Sequence, residues 1–333
     1  MAADQRRRYR EALARVAGRD VGAVMFDELL SRHCSWRIGG PADLLVEPES
    51  VEQAALLVRS VAEAGIPLVV IGSGSNLLFS DEGVRGVVLK LGSRMARFSA
   101  NGNHLVAEAG IWMPRFARKA GNAGVSGFEH TAGIPGTLGG LVLMNGGSQR
   151  KCIGANVVRI WGITGSGDQL CLERESCDFS YRHCRFPHDG FIITKVELAG
   201  ESREPREIRR EMLEILRSRR IKFPLKQPNC GSVFLSTSEL HAALGPPGKI
   251  IEDAGLKGAC VGEAQVSPKH ANFIVNRGNA RACEVLSLIR TVRKEVLAKY
   301  GVDLCCEVRY VNSEGTTLPA DCVCDIQKGQ DTA

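Results

Sequence analysis

The sequence predicts a fold of mixed helices and strands built as three successive packed units, and three observations carry that prediction. The chain has 333 residues, enough for two or three units that each bury a core. Its 44% hydrophobic and 24% charged content is that of an ordinary soluble globular protein, so disorder is expected only at the ends. Segments of helical period alternate with short apolar or alternating segments along the whole length, with no internal repeat.

The start, MAADQRRRYREALARVAG, reads as a basic, solvated helical extension over 1–30. It has no apolar run ahead of a small-residue cleavage site, so it is not a secretion signal. A first unit is expected over 31–92. ADLLVEP is a strand, and Val51, Ala54, Ala55, Val58, Val61 and Ala62 recur at helical spacing over 50–64. Gly65 stops that helix. PLVVIG (67–72) is wholly apolar and reads as a strand buried on both faces. GSGSNLLFSDEG is a loop and VRGVVLKL a returning strand, which makes a βαβ-like unit.

A second unit is expected over 93–203. HLVAEAG is a strand, and WMPRFARKAGNAG is a helix with Pro114 in its first turn. The glycine-rich GFEHTAGIPGTLGGLVLMNGGS (127–148) follows, then a hairpin turning at Gly165–Asp168 and a closing strand FIITKVELAG. The third unit, 204–312, opens with a charged helix at 204–220 whose apolar stripe is Ile208, Met212, Ile215 and Leu216. GSVFL is strand-like, and two short helical pieces lie around 238–257. HANFIVN leads to an amphipathic helix at 280–299 carrying Cys283, Leu286, Ile289 and Val296, with Asn279 as its cap. CEVRYV is the last strand, and the small, polar segment 313–333 is expected to be a mobile tail.

Several function classes are disfavoured. No segment approaches the roughly 18 continuous apolar residues of a membrane span. A net charge of +6, with acids mixed among the basic residues, suits an anionic small molecule at least as well as a polymer. The mixed acids of helix 204–220 make it a solvated face. Twelve cysteines occur without a paired C-x-x-C spacing, and Cys305–Cys306 and Cys322–Cys324 are too close for an ordinary zinc site. Free thiols in a reducing cytoplasm, with no metal and no disulfide, are the expectation.

Two glycine-rich loops carry the ligand signal. In GSGSN, Gly72, Ser73, Gly74, Ser75 and Asn76 follow an apolar strand, and converging backbone N–H groups with short side-chain donors can hold a pyrophosphate without cations. Alone the loop reads equally well as a tight turn, and it matches neither the Rossmann pattern nor a P-loop. GIPGTLGG adds Gly133, Ile134, Gly136, Thr137 and Gly140, glycines that admit close backbone approach beside one hydroxyl. Two such loops point to one long ligand with a diphosphate and a ring system, as in a dinucleotide.

With both loops in place, the order of motifs resembles the UDP-N-acetylenolpyruvoylglucosamine reductases, the MurB family. The matching stretches are WRIGGPAD, VVIGSGSNLLF, GFEHTAGIPGTLGGLVLMNGG, SYRHCRF, NCGSVF, IIEDAGLKG, VSPKHANFIVN and EVRYV, in family order from about residue 30 to 311. The resemblance implies a two-part FAD-binding region of the vanillyl-alcohol-oxidase (PCMH) type followed by a C-terminal α+β substrate-binding domain. FAD would be bound non-covalently by Gly72 to Leu77 and by the residues of the second loop. It also implies a reaction: NADPH reduces FAD, and the flavin then reduces the enolpyruvyl ether of UDP-N-acetylglucosamine to UDP-N-acetylmuramate, a step of peptidoglycan precursor synthesis. By resemblance Arg182, Ser232 and Glu307 are catalytic, and Lys222 and Arg309 hold anionic substrate groups. The partners implied are the UDP-sugar and NADPH, with no nucleic acid and no membrane, in a cytoplasmic monomer or weak oligomer.

The chemistry explains the residue types. An enol ether is electron-rich, so hydride can add only if the adjoining carboxylate absorbs the charge. A guanidinium such as Arg182 grips a carboxylate through two N–H bonds and keeps its charge. Glu307 helps only when protonated, a state that burial and a nearby anion favour. The carbanion next to the carboxylate is strongly basic, so a weak acid quenches it. Ser232 therefore acts as a proton donor; its QPNCGSVF context lacks the G-x-S-x-G of a nucleophile elbow and needs no histidine base. His130 and His270 read as structural.

The chain departs from the family in three places. LSTSE follows the serine motif where Lys-Asn-Pro is common, and Cys184 stands where serine is common. The segment between Arg182 and FIITKV is short, so the insertion carrying a substrate-gripping tyrosine is absent, as in the shorter class. The alternatives are another flavin oxidase or dehydrogenase of the same fold, and a non-catalytic nucleotide-binding protein.

Overall fold

The computed structural model describes residues 3–186 and 190–326. The chain divides into two compact units, each discontinuous in sequence. The first runs to Asp27, then takes Asp43–Ser73 and Gly86–Arg219; the second takes Glu28–Ala42, Gly74–Arg85 and the chain from Arg220. Segments 31–42 and 74–85, expected inside one contiguous first unit, therefore group with the C-terminal part.

In the first unit, helix α1 (Ala3–Ala17) buries Leu13 and Val16 in the core that also takes Ala54, Leu57, Val58 and Val61 of α2 (Val51–Glu63). Tyr9 donates to Asp43 Oδ2 at 2.6 Å. Ser50 caps α2 by accepting from the Gln53 N–H at 3.2 Å, and Gly65 ends it at φ +61°. The early strands are β1 (Ala23–Leu29), β2 (Pro41–Glu47), β3 (Leu68–Ile71), β4 (Leu77–Phe79) and β5 (Val84–Lys90); all but β4 share a sheet of order β1-β2-β5-β3. Residues 23–29, expected within a helical extension, are thus a strand.

Strand β3 runs parallel to β5, with Leu68 opposite Val87 and Ile71 opposite Lys90. It lies at the sheet's edge, and Val70 is 39% exposed. The expected burial on both faces does not hold: an all-apolar run looks the same whether its second face meets a core or a cavity wall.

The rest of the unit adds β6 (Phe98–Asn101), β7 (His104–Glu108), β8 (Val125–Ser126), β9 (Val157–Ile163), β10 (Gln169–Glu173), β11 (Ile192–Ala199) and β12 (Glu201–Ser202). A five-stranded sheet of order β10-β9-β11-β7-β6 puts β11 at its centre, which buries Val196 and Leu198. Helix α3 (Met113–Asn122) has Pro114 in its first turn, and its Phe116 meets Phe128 edge-on at 5.3 Å. Helix α4 (Leu138–Leu143) forms inside the glycine-rich stretch read as loop. The helix Pro205–Lys222 buries Ile208, Met212 and Ile215, whereas Leu216 of the expected stripe is exposed.

The second unit holds a three-stranded sheet in which β16 (Arg309–Val311) pairs parallel with β4 and antiparallel with β17 (Thr317–Pro319). A meander joins β13 (Cys260–Val261), β14 (Ala264–Val266) and β15 (Ile274–Asn276). Trp36 is fully buried, donating through Nε1 to Ile274 O at 2.8 Å, while Asn276 Nδ2 donates to Trp36 O at 3.0 Å. GSVFL makes no regular strand. One bridge joins Phe234 to Cys306, and the buried Asn272 side chain satisfies both backbone groups of Phe234 at 2.9 and 3.0 Å.

The helix Ala282–Tyr300 buries Leu286, Ile289 and Val296, but Cys283 of the expected stripe is exposed. Its N-terminal N–H groups at Ala282 and Cys283 donate to the Asp81 carboxylate at 2.7 and 3.1 Å; Asn279 is not the cap. Residues 317–326, expected to be mobile, form β17 and the helix Ala320–Ile326. Residues 327–333 of the expected tail, residues 1–2 of the extension and residues 187–189 after Arg182 lie outside the described residues. Among the described residues, no helix is long and apolar enough to cross a membrane.

Candidate active site

In the first unit the two glycine loops meet. A Cβ on Gly72 would stand 2.1 Å from Thr137 Oγ1, and one on Gly140 would stand 3.5 Å from the same atom. Thr137 occupies the position before α4, yet its side chain makes no capping bond. Its backbone is held in place: Met113 N–H donates to Gly136 O and Leu141 N–H to Thr137 O, each at 2.9 Å. Among the described residues the neighbouring Ser73 hydroxyl is buried without a hydrogen-bond partner, a costly state unless a ligand completes it. Gly72, Thr137 and Gly140 open on a cavity of about 440 Å³ walled by Val58, Val70, Ile71, Leu143 and Phe191. Ile134 packs on the adjacent core. The glycine-lined approach and the apolar wall suit a ligand with a flat part, and the orphaned Ser73 hydroxyl belongs to the residue next to Gly72.

Gly133 sits against Arg219: a Cβ there would be 2.4 Å from Arg219 Cδ. Burial lowers the Arg219 pKa. The sequence reading passed over Arg219 because, among the arginines of helix 204–220, periodicity does not single out the one whose side chain is covered. His130 is likewise buried, and its pKa is lowered to about 4, first by burial and then by the Lys151 charge.

The remainder of the first loop belongs to the second unit. Gly74 has φ +61°, and a Cβ there would come within 2.4 Å of His33 O. Its carbonyl accepts from Ser35 N–H at 3.3 Å, and Ser75 beside it is half-buried. Asn76, expected as a ligand donor, gives its amide to Glu307 O at 3.0 Å, and its own carbonyl accepts from Arg309 N–H at 3.1 Å. Leu77 pairs with Arg309 across β4–β16. Asn76 thus braces the strand entry that carries Glu307 and Arg309.

Ser232 and Glu307 come together in this unit. Gly231 turns the chain at φ +87°, its N–H held by Asn229 Oδ1 at 2.9 Å. Val233 is fixed on both sides: its N–H donates to Asn272 O at 2.9 Å, and its carbonyl accepts from Glu307 N–H at 2.8 Å. Among the described residues the half-buried Ser232 hydroxyl makes no hydrogen bond. Cys230, buried next to it, has its thiol pKa pushed well up by burial and then by the Glu307 charge. Lys222 is exposed at the end of its helix, where Phe223 stacks on Phe273 at 5.1 Å.

Arg182 belongs to the first unit, at the tip of a two-residue turn. Ser180 and His183 exchange both backbone hydrogen bonds at 3.1 Å, and Arg182 between them has φ +54°. That conformation costs a non-glycine residue roughly 1–2 kcal/mol. The Arg182 guanidinium lies 5.4 Å from the centre of the exposed Tyr181 ring.

Comparison with known proteins agrees with this layout. A profile described as an FAD binding domain matches residues 42–171, and one described as the UDP-N-acetylenolpyruvoylglucosamine reductase C-terminal domain matches residues 223–311. UDP-N-acetylenolpyruvoylglucosamine reductase 1 of Corynebacterium glutamicum is 41% identical over 292 residues, which is 88% of this chain and 87% of that protein. The reductase of Heliobacterium modesticaldum is 43% identical over 297 residues, covering 88% of this chain and 92% of that one. The crystal structure of the reductase from Thermus caldophilus superposes with a TM-score of 0.73 at 32% identity, covering 86% of this chain and 98% of that one. An FAD-binding region followed by a reductase C-terminal domain is the expected α+β arrangement, and the Ser73, Gly72 and Thr137 geometry fits that cofactor. The chain belongs to the UDP-N-acetylenolpyruvoylglucosamine reductase family of FAD-dependent oxidoreductases.

Proposed function

We propose that this protein uses NADPH to reduce the enolpyruvyl ether of UDP-N-acetylglucosamine to UDP-N-acetylmuramate, in the cytoplasm, as a step of peptidoglycan precursor synthesis. The observation that carries the reading is that Glu307 N–H donates to the carbonyl of Val233, the residue after Ser232, whose hydroxyl makes no hydrogen bond among the described residues. FAD, when bound, supplies the electron relay from NADPH to the vinyl carbon. Gly72, Ser73, Gly133, Gly136, Thr137 and Gly140, with Gly74 and Ser75, would hold it.

The protein's own groups handle charge and protons. Arg182 grips the substrate carboxylate and stabilises the charge that builds there, a role whose loss commonly costs roughly 10²–10³ in rate. Glu307, protonated, donates a second hydrogen bond to the same carboxylate. Ser232 delivers the proton to the carbon next to it. Lys222 and Arg309 supply positive charge for the anionic groups of the sugar nucleotide.

An anaerobic titration in two steps tests the assignment. The yellow holoenzyme should bleach with NADPH and regain its colour with the enolpyruvyl sugar nucleotide. If the second addition leaves it bleached while oxygen restores the colour, the reductase reading is wrong.

A further inference from the structure

The turn that presents Arg182 is anchored by two side chains, Asn145, to which the sequence reading gave no role, and Cys184, which it read as affecting the packing near Arg182. Asn145 is 3% exposed with φ +40°, and it bridges: its Nδ2 donates to Ser180 O at 2.7 Å while its Oδ1 accepts from Gly154 N–H at 3.0 Å. Gly154 has no room for anything else there, since a Cβ on it would lie 2.6 Å from Asn145 Oδ1 and 2.8 Å from Phe179 Cγ. On the other side of the turn, Cys184 is 1% exposed and its thiol donates to Leu143 O at 3.0 Å, at the end of α4. Both anchors therefore tie the turn to the glycine-rich stretch 133–154. Asn145 and Cys184 hold the residues on either side of Tyr181 and Arg182, and Arg182 itself sits in the left-handed region. A strained residue persists only where its surroundings over-determine it.

We infer that Asn145 and Cys184 are positioning residues for Arg182, fixing the turn before substrate arrives so that the guanidinium meets the carboxylate without reorganisation. The inference rests on the role proposed above for Arg182. It makes a chemical distinction. Aspartate at 145 keeps the acceptor for Gly154 N–H but, when ionised, loses the donor to Ser180 O. Serine at 184 keeps a donor to Leu143 O, and alanine does not.

The test uses holoenzyme variants Asn145→Asp, Cys184→Ala, Cys184→Ser and Arg182→Ala, with the two half-reactions followed separately and amide hydrogen exchange measured over 178–186. Asn145→Asp and Cys184→Ala should slow reoxidation by the sugar nucleotide roughly 10–100-fold. Reduction by NADPH should stay within about twofold, and exchange at His183, whose N–H bonds Ser180 O, should quicken. Cys184→Ser should restore both readouts. If Arg182→Ala is slow while Asn145→Asp and Cys184→Ala behave as wild type, the positioning inference is overturned and the reading of Arg182 stands. If Arg182→Ala is itself unimpaired, that reading fails and the inference falls with it.

Discussion

Gly72 and Thr137, 65 positions apart, are packed so closely that a single methyl group on Gly72 would lie 2.1 Å from Thr137 Oγ1 and 3.2 Å from its Cβ. Thr137 is buried and its backbone is pinned on both sides, so it has little room to yield. This contact makes one surface of two loops that the sequence offers separately. Gly72→Ala should destabilise the apoprotein by roughly 1–3 kcal/mol through overpacking and lower the flavin-to-protein ratio. Removing the hydroxyl in Gly72→Ala/Thr137→Ala should return part of the stability and leave flavin retention impaired. Melting curves and flavin absorbance after gel filtration check both, and wild-type values for the single variant would contradict the packing argument.

The N-terminus of helix Ala282–Tyr300 is capped from within by Glu284, which accepts from Arg281 N–H at 3.1 Å, and by Asp81 from 201 positions away. The Asp81 carboxylate accepts from two N–H groups that have no partner within the helix. Asp81→Ala should cost about 0.5–2 kcal/mol in urea unfolding, with Asp81→Asn milder because its amide oxygen still accepts. Asn279→Ala should be close to neutral, whereas a cap at Asn279 would reverse that order.

His130 gives stability a pH dependence of definite sign. Its ring takes up a proton near pH 6.5 when exposed and only near about 4 in the folded chain, because it is buried, with Lys151 adding to the effect. The unfolded state therefore binds the proton first as pH falls. His130 costs the fold nothing above about pH 6.5; between 6.5 and 4 the penalty grows, to about 3 kcal/mol in all. His130→Phe should flatten the stability profile in that window relative to wild type and leave it alone above pH 7. A parallel profile for both proteins would show that the ring is solvated.

The sequence made local features legible and left distant ones hidden. Helix 50–64 was readable because its period and its Gly65 stop lie within sixteen positions, and the Ser50 cap that the structure adds is equally local. The hairpin at Gly165–Asp168 was readable for the same reason, since β9 and β10 pair across a turn of adjacent residues. Strand β4 was not: Leu77–Phe79 is three residues inside a glycine and serine loop, and its partner β16 begins at Arg309. Asp81 displaced Asn279 as a cap by the same long-range route. Within the site, the motif residues could be named, yet nothing local told that Asn76 braces Glu307 or that Asn145 reaches Ser180. Such partners are chosen by tertiary proximity, which a single sequence does not display.

The account turns on Ser232 acting as an acid toward carbon, so the rates of the two half-reactions in Ser232→Ala test it most directly. Bleaching by NADPH should match wild type, and reoxidation by the enolpyruvyl sugar nucleotide should slow by about 10²–10⁴-fold. Equal slowing of both steps, or wild-type reoxidation, would contradict the proton-donor role.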